Sequence, residues 1–161
     1  RNNMIILYRV DDRLVHGQVV EGWVPHLRAE ELAVVSDEIA GDEMRRAIMR
    51  FATPEGVDLK IMTVAEAAAY LPAAEQNGRK VLLLLPGLAE ALTLSQKGLK
   101  IPSLNIGGMH YSAGKNLSIG KAIFLNDEDC AALKALSAAG IKIEGRGVPS
   151  DRPLDLMEAI T

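Results

Sequence analysis

The run KVLLLL, from Lys80 to Leu85, constrains the fold of this chain more than any other segment. Its apolar residues follow one another without the alternation that marks a strand with one face in water. Such a run is typical of a strand buried on both faces, and strands of this kind occur in parallel sheets that are covered by helices. The run therefore predicts an α/β fold.

Other apolar segments alternate with stretches of helical spacing. The segment Val20 to Leu27 predicts one helix, and Met44, Ile48 and Phe51 recur at the spacing of a second, amphipathic helix. Strands joined through helices pair in parallel with right-handed crossovers, which gives an open, mostly parallel β-sheet flanked by helices on both faces. The strands are predicted near residues 5–10, 31–35, 58–62, 80–85, 103–106, 121–125 and 142–145.

Length and charge narrow the class of protein. The chain has 161 residues and no linker or repeat, so a single domain over residues 4–161 is expected, with residues 1–3 as a cloning remnant ahead of Met4. The net charge is −3 with scattered Lys and Arg, which gives no sign of nucleic-acid binding. A lone cysteine, Cys130, fits a reducing compartment, and no apolar run reaches the ~18 residues of a spanning helix. A cytoplasmic location is expected.

The stretch YRVDDRLVHGQV, from Tyr8 to Val19, places both signs of charge where the first strand passes into a helix. Ligands of open α/β sheets gather beyond the carboxyl ends of the strands. The Arg13 fork, the free amides of Gly17 and Gln18 at the helix start and the His16 imidazole together describe a phosphate site with a nucleophile.

Two aspartates, Asp11 and Asp12, precede the arginine, and one of them would orient the imidazole or hold Arg13. Histidine suits phosphoryl transfer because the residue keeps a neutral ring nitrogen at cytoplasmic pH and forms a labile phosphoramidate. No GxxxxGK[ST] or GxGxxG sequence follows the strand, so a nucleotide is not indicated. The alternative is a solvated loop with a capping aspartate, in which His16 packs at the helix start.

Two segments carry a family resemblance. RVDDRLVHGQV resembles the active-site signature of the IIB subunits of the bacterial sugar phosphotransferase system, in the mannose/fructose/sorbose class, and NIGGMHYSAGK (residues 105–115) resembles a second signature of that family. The resemblance implies an open twisted sheet with the first strand central. It also implies that Arg13 stabilises the phosphate, that Asp11 is the family's loop aspartate and that His16 is phosphorylated.

The same resemblance implies a protein-N(pi)-phosphohistidine–sugar phosphotransferase that uses no cofactor. His16 would accept a phosphoryl group from the IIA phosphocarrier and pass it to a sugar imported by the membrane components IIC and IID, with the chain peripherally associated with that permease. A stand-alone regulatory phosphoprotein of the same fold is the alternative, and a small hydrolase using His16 as base lacks a paired nucleophile. The sugar and any self-association are left open.

Further residues are candidates for the rim of the site. Ser36 follows the second predicted strand, with helix capping as its alternative role, and His110 lies in the glycine-rich segment, with packing in a loop as its alternative. Gly107 and Gly108 are expected to form a tight turn that brings this segment beside the first. No histidine pair has metal-ligand spacing, so no metal is predicted. A docking rim for partner proteins is predicted at Val15, Trp23, Arg28, Arg45 and Arg46.

Overall fold

The computed structural model describes residues 4–74 and 78–161. Its strands are β1 (Ile5–Asp11), β2 (Glu31–Val35), β3 (Asp58–Met62), β4 (Val81–Leu85), β5 (Ser103–Gly108), β6 (Leu117–Ile119), β7 (Ile123–Leu125), β8 (Lys142–Gly145) and β9 (Leu154–Asp155). Its α-helices are α1 (Val24–Leu27), α2 (Asp37–Ala40), α3 (Glu43–Ala52), α4 (Val64–Ala74), α5 (Leu88–Gln96), α6 (Asp127–Ala138) and α7 (Leu156–Ile160). None of these described helices is long and apolar enough to cross a membrane.

Within the described residues, seven strands form one open sheet in the order β3-β2-β4-β1-β5-β8-β9. Every neighbouring pair is parallel except β8 with the short edge strand β9. Strand β1 lies in the middle, between β4 and β5. The α/β class, the mostly parallel sheet and the central first strand are therefore confirmed.

Strand β4 is buried over its whole length, as the run that predicted it requires. Two apolar clusters cover the two faces of the sheet. Helices α4 to α7 contribute residues such as Leu71, Leu94 and Leu133 to one cluster. Helices α1 to α3 and the segment before them contribute to the other, with Val19 and Met49 among its members. Helices therefore lie on both faces.

Helix α3 forms where the spacing predicts it, but its apolar stripe faces solvent. Met44, Ile48 and Phe51 are 74%, 62% and 94% exposed. Only Met49 of this helix is buried, and it packs into the cluster beside α2. Periodicity correctly predicted the helix and wrongly implied which face meets the core.

Three other features depart from the sequence expectation. The helix predicted from Val20 begins as a π-helical turn, Gln18–Trp23, before α1. The strand predicted at residues 121–125 corresponds to β7, which lies outside the seven-stranded sheet and pairs antiparallel with β6, a strand that was not predicted. Strand β9 was not predicted, because two exposed residues give no strand pattern.

Candidate active site

Asp11 is the centre of the site, at the carboxyl end of the central strand, and its side chain is completely buried. Its Oδ1 accepts hydrogen bonds from the Arg13 backbone N–H and from Arg13 Nε, both at 3.1 Å. Its Oδ2 accepts from Arg9 Nη2 at 3.0 Å and lies 3.1 Å from His16 Nε2. One carboxylate therefore fixes two arginines and the predicted nucleophile.

The backbone after Asp11 forms a tight turn that points His16 back at this carboxylate. The Leu14 N–H donates to the Asp11 carbonyl at 3.0 Å, and the Asp12 N–H donates to the Gly108 carbonyl of β5 at 3.1 Å. Leu14 has a φ of 57°, a left-handed conformation that costs a non-glycine residue about 1–2 kcal/mol. Burial of the Leu14 side chain in the cluster beneath the loop offsets that cost.

The charge state of Asp11 determines the tautomer of His16. Burial alone would raise the pKa of Asp11, but hydrogen bonds from His16 and Arg13 and the charges of His16 and Arg9 lower this pKa to about 2. An ionised carboxylate only accepts hydrogen bonds, so the facing Nε2 of His16 carries the ring proton. The other ring nitrogen, Nδ1, then has the free lone pair, and it makes no hydrogen bond among the described residues.

Arg13 and Gln18 extend the cluster towards solvent. Arg13 Nη2 donates to Gln18 Oε1 at 2.9 Å, and the arginine side chain is half-exposed. A Cβ placed on Gly17 would meet no atom within 4 Å, so the space beside this backbone is empty of protein. The structure thus brings Asp11, Arg13, His16 and Gln18 together in one cluster, and phosphate binding by this cluster stays a prediction.

Arg9 is the residue that sequence reasoning missed. Its guanidinium is fully buried, bonds to Asp11 and Asn105, and donates to the carbonyls of Arg146 and Gly147 at 2.9 Å each. Burial lowers the pKa of Arg9, and the adjacent Asp11 carboxylate opposes this shift. The sequence does contain a sign of this role. Arg9 stands inside an apolar strand, two residues before Asp11, and an arginine buried in a strand is almost always paired with an opposite charge.

Gly107 and Gly108 leave room for these two arginines. Neither glycine forms the expected turn: both lie in β5 beside β1, and neither has a positive φ. A Cβ on Gly107 would overlap the Arg9 guanidinium, and one on Gly108 would lie 3.0 Å from Arg13 Nη2. The two glycines therefore make room for the side chains of Arg9 and Arg13, and they do not reverse the direction of the chain.

Gly107→Ala is expected to destabilise the protein by about 1–3 kcal/mol, the usual cost of overpacking, because the methyl group must displace the buried Arg9. Denaturant unfolding would measure the change. Gly17→Ala is the control, since its methyl group would enter open space in a helical conformation. Equal stability of the Gly107→Ala and wild-type chains would contradict the packing argument.

Asp12 and His110 join the glycine-rich segment to the first loop. Asp12 Oδ2 accepts from the His110 backbone N–H at 2.8 Å and lies 2.6 Å from His110 Nδ1. His110 is 78% exposed on its side chain. Together with Arg13 and Lys121, these residues line a cavity of about 210 Å³. His110 therefore lies at the rim of the site, and Asp12 connects the first loop to the glycine-rich segment through its contacts with His110.

The remaining candidates lie apart from the cluster. Ser36 is buried at the end of β2, where its Oγ accepts from the Ile39 N–H at 3.1 Å and caps α2. Lys115, the last residue of the glycine-rich segment and not itself a predicted site residue, pairs with Asp129 at the start of α6, at 2.6 Å. The predicted docking rim is wrong at Val15 and Trp23, which are buried because both belong to the cluster beneath the loop. Arg28 is exposed, and Arg46 donates to the Ala40 carbonyl at 2.9 Å.

Comparisons with known proteins agree on one family. The profile of the "PTS system sorbose subfamily IIB component" matches residues 5–161. The sorbose-specific EIIB component of Lacticaseibacillus casei is 35% identical, over 98% of this chain and 95% of that protein. The crystal structure of the IIBSor domain of the Klebsiella pneumoniae sorbose permease superposes with a TM-score of 0.91 at 32% identity, over 98% of this chain and 96% of that one.

The mannose-specific EIIAB component of Escherichia coli K12 is also 35% identical over 98% of this chain, which spans only about half (49%) of that longer protein. The sheet order, the loop at the end of β1 and these relatives define a component of the sugar phosphotransferase system (PTS). The chain belongs to the sorbose subfamily of PTS IIB components. As such it is a phosphotransferase component, of the sorbose/fructose/mannose family.

Proposed function

We propose that the chain is a cytoplasmic phosphocarrier in which His16 accepts a phosphoryl group from phospho-IIA and passes it to a sugar imported by IIC and IID. The observation that carries the proposal is the contact of His16 Nε2 with the buried Asp11 carboxylate, which leaves Nδ1 as the nucleophilic nitrogen. Membership of the IIB family supports the identity of both partners. The protein would work at the cytoplasmic face of the permease.

In the first step, the Nδ1 lone pair of His16 attacks the phosphorus of the IIA phosphohistidine. The N–P bond of the donor breaks, and the donor imidazole keeps that electron pair. Charge on the three equatorial oxygens is stabilised by Arg13 and by the backbone around Gly17. Asp11 stabilises the positive charge that the His16 ring acquires, because its carboxylate already accepts the Nε2 proton.

In the second step, a sugar hydroxyl oxygen attacks the same phosphorus, the His16 N–P bond breaks, and the hydroxyl proton is released to a base. Both steps require a donor and then an acceptor to reach the ring, and the His16 side chain is 16% exposed at the protein surface. The site is shaped for positioning and charge stabilisation, which supply most of the catalysis in phosphoryl transfer.

Incubation of the chain with phosphoenolpyruvate, the general phosphotransferase proteins and IIA, followed by intact mass measurement, tests the proposal. We expect one acid-labile phosphoryl group, mapped by peptide analysis to His16 and by NMR to Nδ1. No uptake, or a label on another residue, would contradict the proposed function.

Arg13→Ala is expected to slow phosphoryl transfer from IIA by about 10²- to 10³-fold, because a charged donor aimed at the transferring group is lost. The unfolding free energy should change by less than about 1 kcal/mol, since the side chain is half-exposed. Rapid-quench measurement of the transfer rate provides the readout. Lys142→Ala is the control, because it removes an exposed cation at the start of β8, at the opposite edge of the sheet from His16, and it should transfer at the wild-type rate.

A further inference from the structure

The exposed face of helix α3 is an apolar surface that the site chemistry does not use. Met44, Ile48 and Phe51 lie at positions i, i+4 and i+7 and form one row, which we term the α3 stripe. These residues are three of the five large hydrophobic side chains that are exposed in the described part of the chain. The opposite face of the helix is anchored through Met49. An amphipathic helix with its apolar face in water marks an interaction surface.

Helix α3 covers the same face of the sheet as the His16 loop, and it starts towards the same end of the molecule. Strands β1 and β2 are both parallel to β4, so the loops that follow them emerge at one edge of the sheet. The His16 loop follows β1, and α2 and α3 follow β2. Met49 shares an apolar cluster with Leu14 and Val15, which immediately precede His16. The first turn of α3, which carries Met44, therefore lies towards the edge where a protein would approach His16, and the stripe continues from there to Phe51.

The size of the stripe favours a transient partner over a second copy of this chain. The helix has 10 residues and is about 15 Å long. A stable, specific interface buries roughly 800 Å² on each partner, which three side chains on so short a helix do not supply. Small interfaces are typical of encounters that form and separate quickly, as a relay requires.

The charges around the stripe favour a protein over an anionic lipid surface. Helix α3 carries three arginines, Arg45, Arg46 and Arg50, but Asp42 and Glu43 begin this helix and Asp37 and Glu38 begin the adjacent α2. Arg45 pairs with Glu38 at 3.4 Å, and Arg46 donates to the Ala40 carbonyl at 2.9 Å. A surface helix that binds anionic lipids carries mainly Lys and Arg on its polar face. The mixed charges of α2 and α3, four acidic and three basic, instead suit a partner whose apolar patch is bordered by charges of both signs.

We infer that the α3 stripe is the docking surface for the protein that donates the phosphoryl group to His16, the IIA component. The inference rests on the proposed function, because it takes IIA as the donor. Docking and chemistry are separate claims: α3 would bind the donor through Phe51 and Ile48, and it would take no part in the phosphoryl transfer at His16.

The test compares a protein donor with a small one. In the double variant Ile48→Ser/Phe51→Ser, the second-order rate of transfer from phospho-IIA should fall by at least about tenfold, as for loss of an aromatic anchor. Direct phosphorylation of His16 by phosphoramidate, which needs no docking, should stay at the wild-type rate. The conservative variant Ile48→Leu/Phe51→Leu should retain most of the transfer from IIA. Circular dichroism and thermal unfolding would establish that each variant is folded.

Unchanged transfer from IIA in the folded Ser variant would overturn the inference. Unchanged transfer together with loss of binding to phosphatidylglycerol vesicles would assign the stripe to a membrane surface. Unchanged transfer together with loss of a concentration-dependent dimer would assign it to a second copy. Failure of the wild-type chain to accept phosphate from IIA would instead contradict the proposed function, which separates the two ideas.

Discussion

A chain carrying His16→Gln is expected to accept no phosphoryl group from phospho-IIA or from phosphoramidate. Glutamine has nearly the reach of histidine and can still hydrogen-bond to Asp11, so the fold and the arginine contacts should remain. It has no ring nitrogen with a lone pair, and so no phosphoramidate bond can form. Intact mass after incubation would show a single unmodified species.

His110→Gln is the matched control for this experiment. His110 also faces an aspartate, with Nδ1 at 2.6 Å from Asp12 Oδ2, and it lies at the rim of the same site. If contact between imidazole and carboxylate were sufficient for phosphorylation, both histidines would be labelled. We expect His110→Gln to accept one phosphoryl group as the wild-type chain does. A label that survives in His16→Gln would refute the assignment of the nucleophile.

Asp11→Asn is expected to destabilise the protein by about 3–5 kcal/mol, which is the cost of leaving a buried charge without its partner. Arg9 would keep its acceptors on Asn105, Arg146 and Gly147. Within the described residues, Asp11 is the one carboxylate that accepts a hydrogen bond from Arg9, and the variant would lose that negative charge. Transfer should also fall by about 10³- to 10⁴-fold, because an amide can donate to His16 Nε2 and so favour the tautomer protonated on Nδ1. Urea unfolding and rapid-quench kinetics would measure the two effects.

Acid titration distinguishes the Asp11 carboxylate from a merely structural side chain. The folded state lowers the pKa of Asp11 from 3.8 to about 2, so it binds this proton less readily than the unfolded state does. The resulting stabilisation is complete above about pH 4 and is lost as the pH falls towards 2. Asp11→Asn should lack this component, and its unfolding free energy should depend less on pH in that window. Parallel pH profiles for the two chains would contradict the role given to the ionised carboxylate.

The general architecture followed from the sequence because it depends on local patterns. KVLLLL predicted a strand buried on both faces, and β4 is such a strand. The alternation of strands and helices predicted the parallel sheet. The position of RVDDRLVHGQV after the first strand predicted a cluster of Asp11, Arg13, His16 and Gln18, and the structure brings these residues together.

The features that the sequence did not predict depend on contacts between distant segments. Arg9 donates hydrogen bonds to Asn105, Arg146 and Gly147, which lie about 100 or more residues further along the chain. A local sequence pattern cannot predict contacts over such a separation. The orientation of α3 depends on Met49 fitting a cluster shared with the His16 loop. Periodicity gives the spacing of an apolar row, but it contains no information on whether that row meets the sheet or the solvent.

The position of β1 in the middle of the sheet has a consequence for the dynamics of the site. Proteins open locally with free energies that are small at edges and termini and approach the global value in central strands. Asp11 and Arg9 lie on the strand that is paired on both sides, so the charges that aim His16 should be released only by near-complete unfolding. Amide hydrogen exchange in β1 should therefore be among the slowest in the protein. Each phosphoryl group would then meet an almost unvarying electrostatic field, while the surrounding loops remain free to adapt to successive partners.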